Sequence, residues 1–531
     1  MNKKFRAIFL LIFLLILFLI YTYINFHVEN RVGESPDENL QLFFSKQIAE
    51  ESSIFWHSDL NERYNTTIFR PRASIDIGNN NFMGPYLGLQ LILALSRLYG
   101  FLGYINSLIA VLGILSLYLL CREVHDDKVG LISIVLFGLF PSYLYFANMY
   151  YSNIPALTFG MLSLYCFYKG IVKQNMVFLG FSGFFLSFAV HIRITEILFI
   201  VPMAVIYLLN RDHNGNLKKD IFLPGVLILA GTLGLWFIIQ EYIKSQQIAL
   251  SGTSIRSASS STLVTNDLYS LIKFLVNQFI DNLSFYEITF KNFIFGYSPL
   301  LFILFLLGVV YSYKNEKTLI KRIFLYASVM LCLVYFLFYG YMSGTWNYTS
   351  QTWGLAVPVD ASMSRYFLPI YAIFCVYAAV LLQRVPSMRL NQKFAVITVI
   401  LISYLILNLN VLIIDAERLN RYGEMDKVVK GLPDDSVVFT KFYDKVLSLH
   451  SNVAVYRTQE DVEQDFEIKY FFEPLDIKNN VIPLIDKLLS SGVPVYVAND
   501  AGDLLESLKR NEKYNLEPID RNKLIWKLKR G

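Results

Sequence analysis

The chain has 531 residues, 55% hydrophobic and 17% charged, with a formal net charge of +5. This composition is more apolar and less charged than that of soluble domains, and it excludes collagen-like, coiled-coil and disordered chains. The net charge is small and no single basic block is present, which argues against a nucleic-acid partner. We therefore expect a polytopic α-helical membrane protein.

The first apolar run follows the basic stretch Asn2-Lys3-Lys4-Phe5-Arg6 and continues to Ile24. No small-residue cleavage site follows it, so we interpret it as a retained signal anchor rather than a cleaved signal peptide. Ten further runs approach the length that crosses a core of about 30 Å. These runs lie near 103–121, 129–147, 153–168, 176–190, 197–209, 221–240, 294–313, 323–341, 365–383 and 394–413.

Two apolar stretches have a length that does not match a single transmembrane helix. Gly84–Tyr99 is apolar but contains Gln90, Ser96 and Arg97, which favours an amphipathic helix on the membrane surface. A single helix over 176–209 would be about 51 Å long, too long for the core. We therefore predict a break at His191–Glu196 and about eleven transmembrane helices.

The distribution of basic residues indicates orientation. The short loops after 121, 168, 209, 313 and 383 carry most of the lysines and arginines, so this side is predicted to be cytoplasmic. The N-terminus then lies inside. The loops 27–83, 241–293 and 342–364 and everything after Ile414 lie outside. The glycosylation sequons at Asn65, Asn282 and Asn347 all fall in loops placed outside.

The tail changes character after residue 414. Its apolar runs shorten to strand length at 436–440, 453–456 and 493–498, with helix-like stretches at 481–490 and 503–509. Alternating strand and helix signals predict a small extracytoplasmic α/β domain over 415–531. The predicted transmembrane domain is 1–414 and includes a first extracytoplasmic loop, with surface helices, over 27–100.

An acidic pair, Asp37 and Glu38, follows Ser35-Pro36 just outside the first span. Paired carboxylates at a membrane surface are candidates for a general base. The pattern is equally that of a capping box, with Ser35 as N-cap, Pro36 at the first helical position and Glu38 at the third. The two interpretations are compatible, because a capping carboxylate can still accept a proton.

Ionisable residues also interrupt two apolar stretches at their predicted outer ends. His191, Arg193 and Glu196 lie between two short spans, and Arg365 opens another. Such residues are expensive within a membrane and usually line a cavity. Two arginines near one leaflet fit a lipid-linked phosphate, onto which a guanidinium forks. The alternative is that each snorkels to the interface or pairs with an acid such as Glu196.

The first loop contains further polar candidates. Arg70 and Arg72 add positive charge, and His57, Asp59 and the Asp37–Glu38 pair are candidate metal ligands. No tight ligand spacing is present, so no metal site is assigned. Dependence on a divalent metal stays an open alternative.

The order of these features resembles that of the GT-C superfamily of polyprenyl-phosphate-sugar-dependent glycosyltransferases. The branch it resembles is that of the protein O-mannosyltransferases and aminoarabinose transferases. The features are one N-terminal span, then Pro36-Asp-Glu38, then the Gly84–Gly100 stretch, which is similar to a surface helix of the family. Two segments follow. His191-Ile-Arg-Ile-Thr195 resembles an R-P-T segment, and Ser364-Arg-Tyr-Phe-Leu-Pro369 an RY-x-L-P segment.

The resemblance, which covers roughly residues 1–415, implies inverting transfer of a sugar from a polyprenyl-phosphate donor to an extracytoplasmic acceptor. It implies that Asp37 is the base, that Glu38 orients donor or acceptor, and that Arg193 and Arg365 hold the donor phosphate. Further donor or acceptor contacts are expected from Arg70, Arg72, His191 and Tyr366. The acceptor is a protein, lipid or glycan, and the location is the plasma membrane.

This sequence departs from the family at three places. Thr195 stands where the family usually has proline, Gly84-Pro85 replaces a His-Pro-Pro element, and Asn153 stands where some relatives carry an acid. These departures bear on the sugar and the acceptor more than on the reaction class.

Two other classes of function compete with a sugar transferase. A polyprenyl-lipid flippase or transporter would also need many spans and buried arginines, although such proteins often show repeat symmetry. A non-catalytic assembly subunit would tolerate loss of Asp37. Oligosaccharyltransferases of the same superfamily carry a Trp-Trp-Asp-Tyr-Gly signature in their soluble domain. No such signature follows residue 415 of this sequence.

Overall fold

The structure is a computed structural model. It describes residues 3–27, 36–57, 62–63, 75–77, 80–82, 87–147, 149–214, 226–228, 230–231, 234, 238, 283–316, 318–345, 364–384, 389–433, 436–440, 453–457, 459–463, 470–474 and 481–531. The predicted fold class, a helical membrane protein with a small C-terminal sheet, is confirmed.

The α-helices in chain order are α1 (Lys3–His27), α2 (Pro36–Glu51), α3 (Leu87–Leu98), α4 (Leu102–Val124), α5 (Asp127–Gly138), α6 (Pro141–Phe146), α7 (Asn153–Lys173), α8 (Met176–Ile192), α9 (Ile200–Asn214), α10 (Leu283–Thr289), α11 (Pro299–Asn315), α12 (Leu319–Thr345), α13 (Leu368–Arg384), α14 (Leu390–Lys430), α15 (Ile482–Ser490) and α16 (Gly502–Lys509). Short 3₁₀ helices cover Ile194–Phe199 and Ser364–Phe367, and a π-helix covers Phe290–Phe295.

The strands are β1 (Phe55–His57), β2 (Ile75–Ile77), β3 (Asn80–Phe82), β4 (Ser436–Thr440), β5 (Val453–Arg457), β6 (Gln459–Glu463), β7 (Tyr470–Pro474), β8 (Val495–Ala498), β9 (Tyr514–Pro518) and β10 (Ile525–Arg530).

The chain divides into two compact units. The helical unit comprises 1–25, 103–244 and 255–413, and the α/β unit comprises 26–102, 245–254 and 414–531. The first loop, predicted as part of the transmembrane domain, thus groups with the C-terminal tail.

Five helices among the described residues are long and apolar enough to cross a membrane, or six if one bent pair counts as a single span. Shorter apolar helices are found at Leu87–Leu98, Met176–Ile192, Ile194–Asn210 and Asn391–Ile406. The run 221–240 lies largely outside the described residues. The count of eleven spans therefore stays a prediction.

Two predicted spans are interrupted. The run 129–147 is divided between α5 and α6, because Pro141 begins a new helix at its favoured first position. The run 294–313 begins inside the π-helix and continues into α11 after a bend of 94°. Pro299 starts the second part of that pair. The predicted break near residue 193 is confirmed, because α8 ends at Ile192.

Aromatic side chains fill the core of the helical unit. Phe140, at the break between α5 and α6, lies 4.6 Å from the Tyr371 ring and 5.5 Å from the Tyr297 ring. The hydroxyl of Tyr371 donates to the carbonyl of Phe293 at 2.7 Å, where the π-helix runs. Lipid supplies no hydrophobic force between helices, so close packing and such hydrogen bonds hold the unit together.

The C-terminal part of the α/β unit is a five-stranded sheet in the order β5-β4-β8-β10-β9. Strands β5, β4 and β8 are parallel, and β10 pairs antiparallel with β8 and β9. One face of β4, with Val437 and Phe439, packs against α15 and α16. The other face, with Val438, packs against the end of α14. Burial on both faces explains why this strand is an unbroken apolar run.

The first loop contributes α2, α3 and a small antiparallel sheet in the order β1-β3-β2. Helix α2 begins at Pro36, as the sequence predicts. Leu40, Phe43 and Phe44 of this helix form a small apolar cluster with Trp56.

Candidate functional site

The first feature of the site is a break in the chain at Arg193. Its backbone is extended, with φ −159° and ψ 114°, and the 3₁₀ helix follows directly. The residues around it include His191 and Glu196, which interrupt an apolar sequence. Because α8 ends at Ile192, Arg193 and Glu196 lie outside the regular α-helix.

Aromatic groups surround the guanidinium of Arg193. Its Nη2 donates to the Tyr339 hydroxyl at 2.7 Å. Its central carbon lies 5.1 Å from the centre of the Tyr339 ring and 4.5 Å from that of Tyr366. Ring faces attract a cation through their quadrupole, more strongly where water is excluded.

Arg365 has a similar environment. It is only 6% exposed, and its guanidinium carbon lies 4.1 Å from the centre of the Tyr151 ring. Its Nη2 donates to the Tyr366 hydroxyl at 3.1 Å. The backbone is also held, because buried Asn153 donates to the Arg365 carbonyl at 3.4 Å. Asn153 therefore acts as a hydrogen-bond donor to the segment that carries Arg365.

Tyr366 joins the two arginines. The guanidinium of Arg193 lies 4.5 Å from its ring centre, and that of Arg365 lies 5.1 Å from it. The same ring stacks on Tyr339 at 4.8 Å and 16°. The structure thus brings Arg193, Arg365 and Tyr366 together from segments far apart in sequence. It places two positive charges around one aromatic ring.

Glu196 is not an ion-pair partner of Arg193. The carboxylate is 3% exposed, and its Oε2 accepts a hydrogen bond from the Tyr335 hydroxyl at 2.6 Å. No salt bridge joins Glu196 to Arg193, although both are described. The two side chains therefore form no direct ion pair, although their opposite charges still attract each other.

The other predicted site residues are placed elsewhere or are not described. The His191 ring Nδ1 lies 2.7 Å from the Ser187 carbonyl oxygen, one turn back in its own helix. Asp37 lies in the first turn of α2, in the α/β unit, and its side chain is outside the described residues. Glu38 follows it and is 1% exposed. Arg70 and Arg72 lie outside the described residues.

The structure does not test the metal hypothesis for the first loop, because Asp59 and the His57 side chain are not described. In the part of the chain that is described, no group of three His, Cys, Asp or Glu side chains converges as metal ligands would. The sequons at Asn65, Asn282 and Asn347 also lie outside the described residues.

Sequence reasoning missed three residues of this site: Tyr151, Tyr335 and Tyr339. Tyrosine in an apolar segment usually indicates core or interface packing, so it gave no separate signal. The spacing of Tyr335 and Tyr339 was the only clue, because residues four apart share one helix face. Their partners lie about 140 positions earlier in the chain.

Comparisons with known proteins bear on the family resemblance and the fold. Residues 83–243 match the family model for dolichyl-phosphate-mannose-protein mannosyltransferase. ArnT from Cupriavidus metallidurans, solved with undecaprenyl phosphate, has a TM-score of 0.60 at 11% identity, over 99% of this chain and 98% of that one. This likeness shows that the chain has the fold of the ArnT structure. The resemblance predicted from the sequence is thereby confirmed.

A second GT-C structure is also similar. The archaeal oligosaccharyltransferase AglB from Archaeoglobus fulgidus was solved with an inhibitory peptide and a dolichol-phosphate. It has a TM-score of 0.52 at 12% identity, covering 97% of this chain and 74% of that one. No curated protein sequence matches this chain. The region that matches the family model contains Tyr151, Asn153 and Arg193, and Arg365 lies beyond it.

Proposed function

We propose that this protein is a membrane glycosyltransferase. It moves a mannose-like sugar, or another hexose or pentose, from a polyprenyl-phosphate donor to an extracytoplasmic acceptor. The observation that carries the proposal is the placement of Arg193 and Arg365 around the Tyr366 ring, in a chain with the GT-C fold.

The phosphate of the donor suits these two arginines. A ring face stabilises a guanidinium from above, whereas a phosphate oxygen approaches its N–H groups in the guanidinium plane. The two contacts are compatible, so the aromatic support does not block phosphate binding. The related structures of ArnT with undecaprenyl phosphate and AglB with a dolichol-phosphate support a polyprenyl lipid as donor.

The proposed reaction is a single displacement at the anomeric carbon. An acceptor hydroxyl oxygen attacks this carbon while its proton passes to the Asp37 carboxylate. The bond between the anomeric carbon and the phosphate oxygen breaks, and polyprenyl phosphate leaves with the electron pair. Arg193 and Arg365 stabilise the negative charge that develops on the leaving phosphate. Attack opposite the leaving group inverts the anomeric configuration.

The position of Asp37 in the first turn of α2 suits a base, because the helix dipole favours the ionised carboxylate there. We assign to Glu38 the orientation of donor or acceptor. Its burial, at 1% exposure, restricts the conformations of its side chain.

The test is transfer of radiolabelled sugar from a panel of polyprenyl-phosphate sugars to endogenous membranes by the purified protein. Asp37→Asn should lower the rate by about 10²–10⁴-fold, the range for a general base. Arg193→Ala and Arg365→Ala should each lower it by about 10²–10³-fold, as expected for removing a charge that stabilises the transition state. Arg510→Ala, which removes an exposed arginine of the α/β unit, is the matched control and should keep wild-type activity.

Two results would contradict the proposal. One is a folded Asp37→Asn variant that transfers sugar at the wild-type rate, which would remove the assigned base. The other is folded wild-type protein that transfers sugar from no donor in the panel. That result would favour the transporter or assembly-subunit alternatives.

A further inference from the structure

Helix α12 presents two tyrosines to the segment that contains Arg193 and Glu196. Tyr335 and Tyr339 are four residues apart and therefore lie on one face of the helix. Each is 1% exposed. Tyr335 donates to the Glu196 carboxylate at 2.6 Å, and Tyr339 accepts from Arg193 at 2.7 Å. One hydroxyl thus donates to the Glu196 carboxylate, and the other accepts from the Arg193 guanidinium.

Without these tyrosines, Arg193 and Glu196 would be natural partners. They are three residues apart, because Arg193 directly precedes the 3₁₀ helix and Glu196 is its third residue, and the Glu196 N–H donates to the Arg193 carbonyl at 3.0 Å. Their opposite charges attract each other. Glu196 is buried, and a buried carboxylate is strongly driven to find a cation. Even so, no salt bridge forms between them.

The hydrogen bonds of the two tyrosines have opposite directions. A phenol has one proton to donate. Tyr339 gives its proton to Thr195 Oγ1 at 2.6 Å, so its oxygen lone pairs are directed to Arg193. Tyr335 gives its proton to Glu196. Thr195 therefore supplies the side-chain oxygen that accepts the proton of Tyr339.

We propose that Tyr335 and Tyr339 hold Glu196 and Arg193 apart, so that the charge of Arg193 serves a phosphate ligand instead of an internal ion pair. They are positioning residues, and the proposal rests on the proposed function, in which that ligand is the donor phosphate. Removing either hydroxyl frees one partner. The Arg193–Glu196 ion pair then forms and competes with the phosphate.

The test measures the dissociation constants of undecaprenyl phosphate and dolichyl phosphate with the full-length protein in detergent. Tyr335→Phe should bind the lipid phosphate about tenfold more weakly, a usual coupling between contacting groups. The double variant Tyr335→Phe/Glu196→Gln should return close to wild-type affinity, because a neutral amide does not compete for Arg193. Tyr339→Phe, with and without Glu196→Gln, provides a second pair of measurements that does not depend on the first variant.

Tyr371→Phe is the matched control. It removes another buried tyrosine hydroxyl of the same unit, one that donates to the Phe293 carbonyl, and it should leave lipid affinity unchanged. Thermal unfolding of every variant checks that it is folded. Rescue by Glu196→Gln distinguishes positioning from a structural role, because an amide at position 196 would not repair a packing defect.

The outcomes separate this inference from the proposed function. Wild-type affinity in both tyrosine variants, or weak binding that Glu196→Gln does not restore, would overturn the inference. If the inference fails in either of these ways but Arg193→Ala abolishes binding of the lipid phosphate, the proposed phosphate site still stands. If Arg193→Ala binds lipid phosphate as tightly as wild type, the proposed phosphate site is wrong, whatever the tyrosine variants do.

Discussion

The guanidinium carbon of Arg365 lies 4.1 Å from the centre of the Tyr151 ring, and that of Arg193 lies 4.5 Å from the centre of Tyr366. Such contacts are worth about 2 kcal/mol or more where the cation is desolvated. A carboxylate partner would also stabilise the charge, but it would cancel the field that an anionic ligand feels. The aromatic environment keeps the site positive.

A different residue-scale pattern is found in the α/β unit at Asp486. Lys513 donates to its Oδ2, Tyr514 donates to Oδ1 at 2.9 Å, and Arg530 lies 3.9 Å away. Burial by itself would raise the pKa of this carboxyl. The hydrogen bonds from Lys513 and Tyr514 and the nearby positive charges outweigh burial and lower the pKa below its usual value. The same contact, together with burial, raises the pKa of Tyr514 to about 12.

Asp486→Asn should therefore destabilise the C-terminal sheet in a pH-dependent way. A lowered pKa contributes stability above the unfolded value of about 3.9, and this contribution is lost as pH falls through the folded pKa. Hydrogen exchange of residues 481–531 in the full-length protein should be faster than in wild type at pH 7. The difference should shrink as the pH is lowered below about 4.

Glu506→Gln is the control for this experiment. It breaks an ion pair with Arg510 in which the side chains are 70% and 82% exposed. Such exposed pairs contribute little, so exchange should match wild type at every pH. A difference between Asp486→Asn and wild type that is constant over the whole pH range would contradict the argument from charge.

At the scale of elements, helices α11 and α13 approach each other closely at Gly308. A Cβ atom added there would lie 2.1 Å from the carbonyl oxygen of Tyr377. That oxygen belongs to the backbone of a buried helix and cannot move aside as a flexible side chain can. Glycine is therefore required at this contact, as at many close helix crossings in membranes.

Gly308→Ala should lower the stability of the helical unit by about 1–3 kcal/mol, the usual range for overpacking. The measurement is the thermal unfolding midpoint of the purified protein in detergent. Gly180→Ala in α8 is the control, because a Cβ there would meet its nearest neighbour, Ile228, at an ordinary 3.4 Å. Equal midpoints for Gly308→Ala and wild type would show that the two helices can move apart to accommodate the methyl group without a loss of stability.

The breaks between elements carry the chemistry of the site. Arg193 directly precedes one 3₁₀ helix, and Arg365 lies within another that leads into α13. At such breaks the backbone leaves the regular helix, so polar side chains can be directed away from the lipid-facing surface. Both arginines were recognised in the sequence for this reason.

At the scale of the whole molecule, the unequal distribution of lysine and arginine predicts which side of the membrane each loop faces. A cysteine introduced by Lys173→Cys, at the end of α7, should react with a membrane-impermeant maleimide only after the cells are permeabilised. A cysteine introduced by Glu512→Cys, in the C-terminal tail, should react in intact cells. Wild type measures the background from its four cysteines, three of which are buried. The reverse labelling pattern would invert the predicted topology.

Local patterns in the sequence were sufficient for many of the elements. Apolar runs predicted helices, charged residues predicted the break at Arg193, and Pro36 predicted the start of α2. The strand over 436–440 was predicted with its observed limits, because a short apolar run bounded by turn residues is a local signal. The hairpin β9–β10 was missed, since polar and charged residues separate its apolar residues, which form no apolar run of strand length.

The sequence by itself therefore determined the fold class, the helix break and the two arginines. Only the tertiary structure decided that Arg193 binds Tyr339 while Glu196 binds Tyr335. The physical reason is distance along the chain. Local patterns show which face of a helix is apolar, but the rotation and height at which α12 packs on the segment after α8 depend on the whole helical unit. Two side chains about 140 positions apart meet only when that packing is complete.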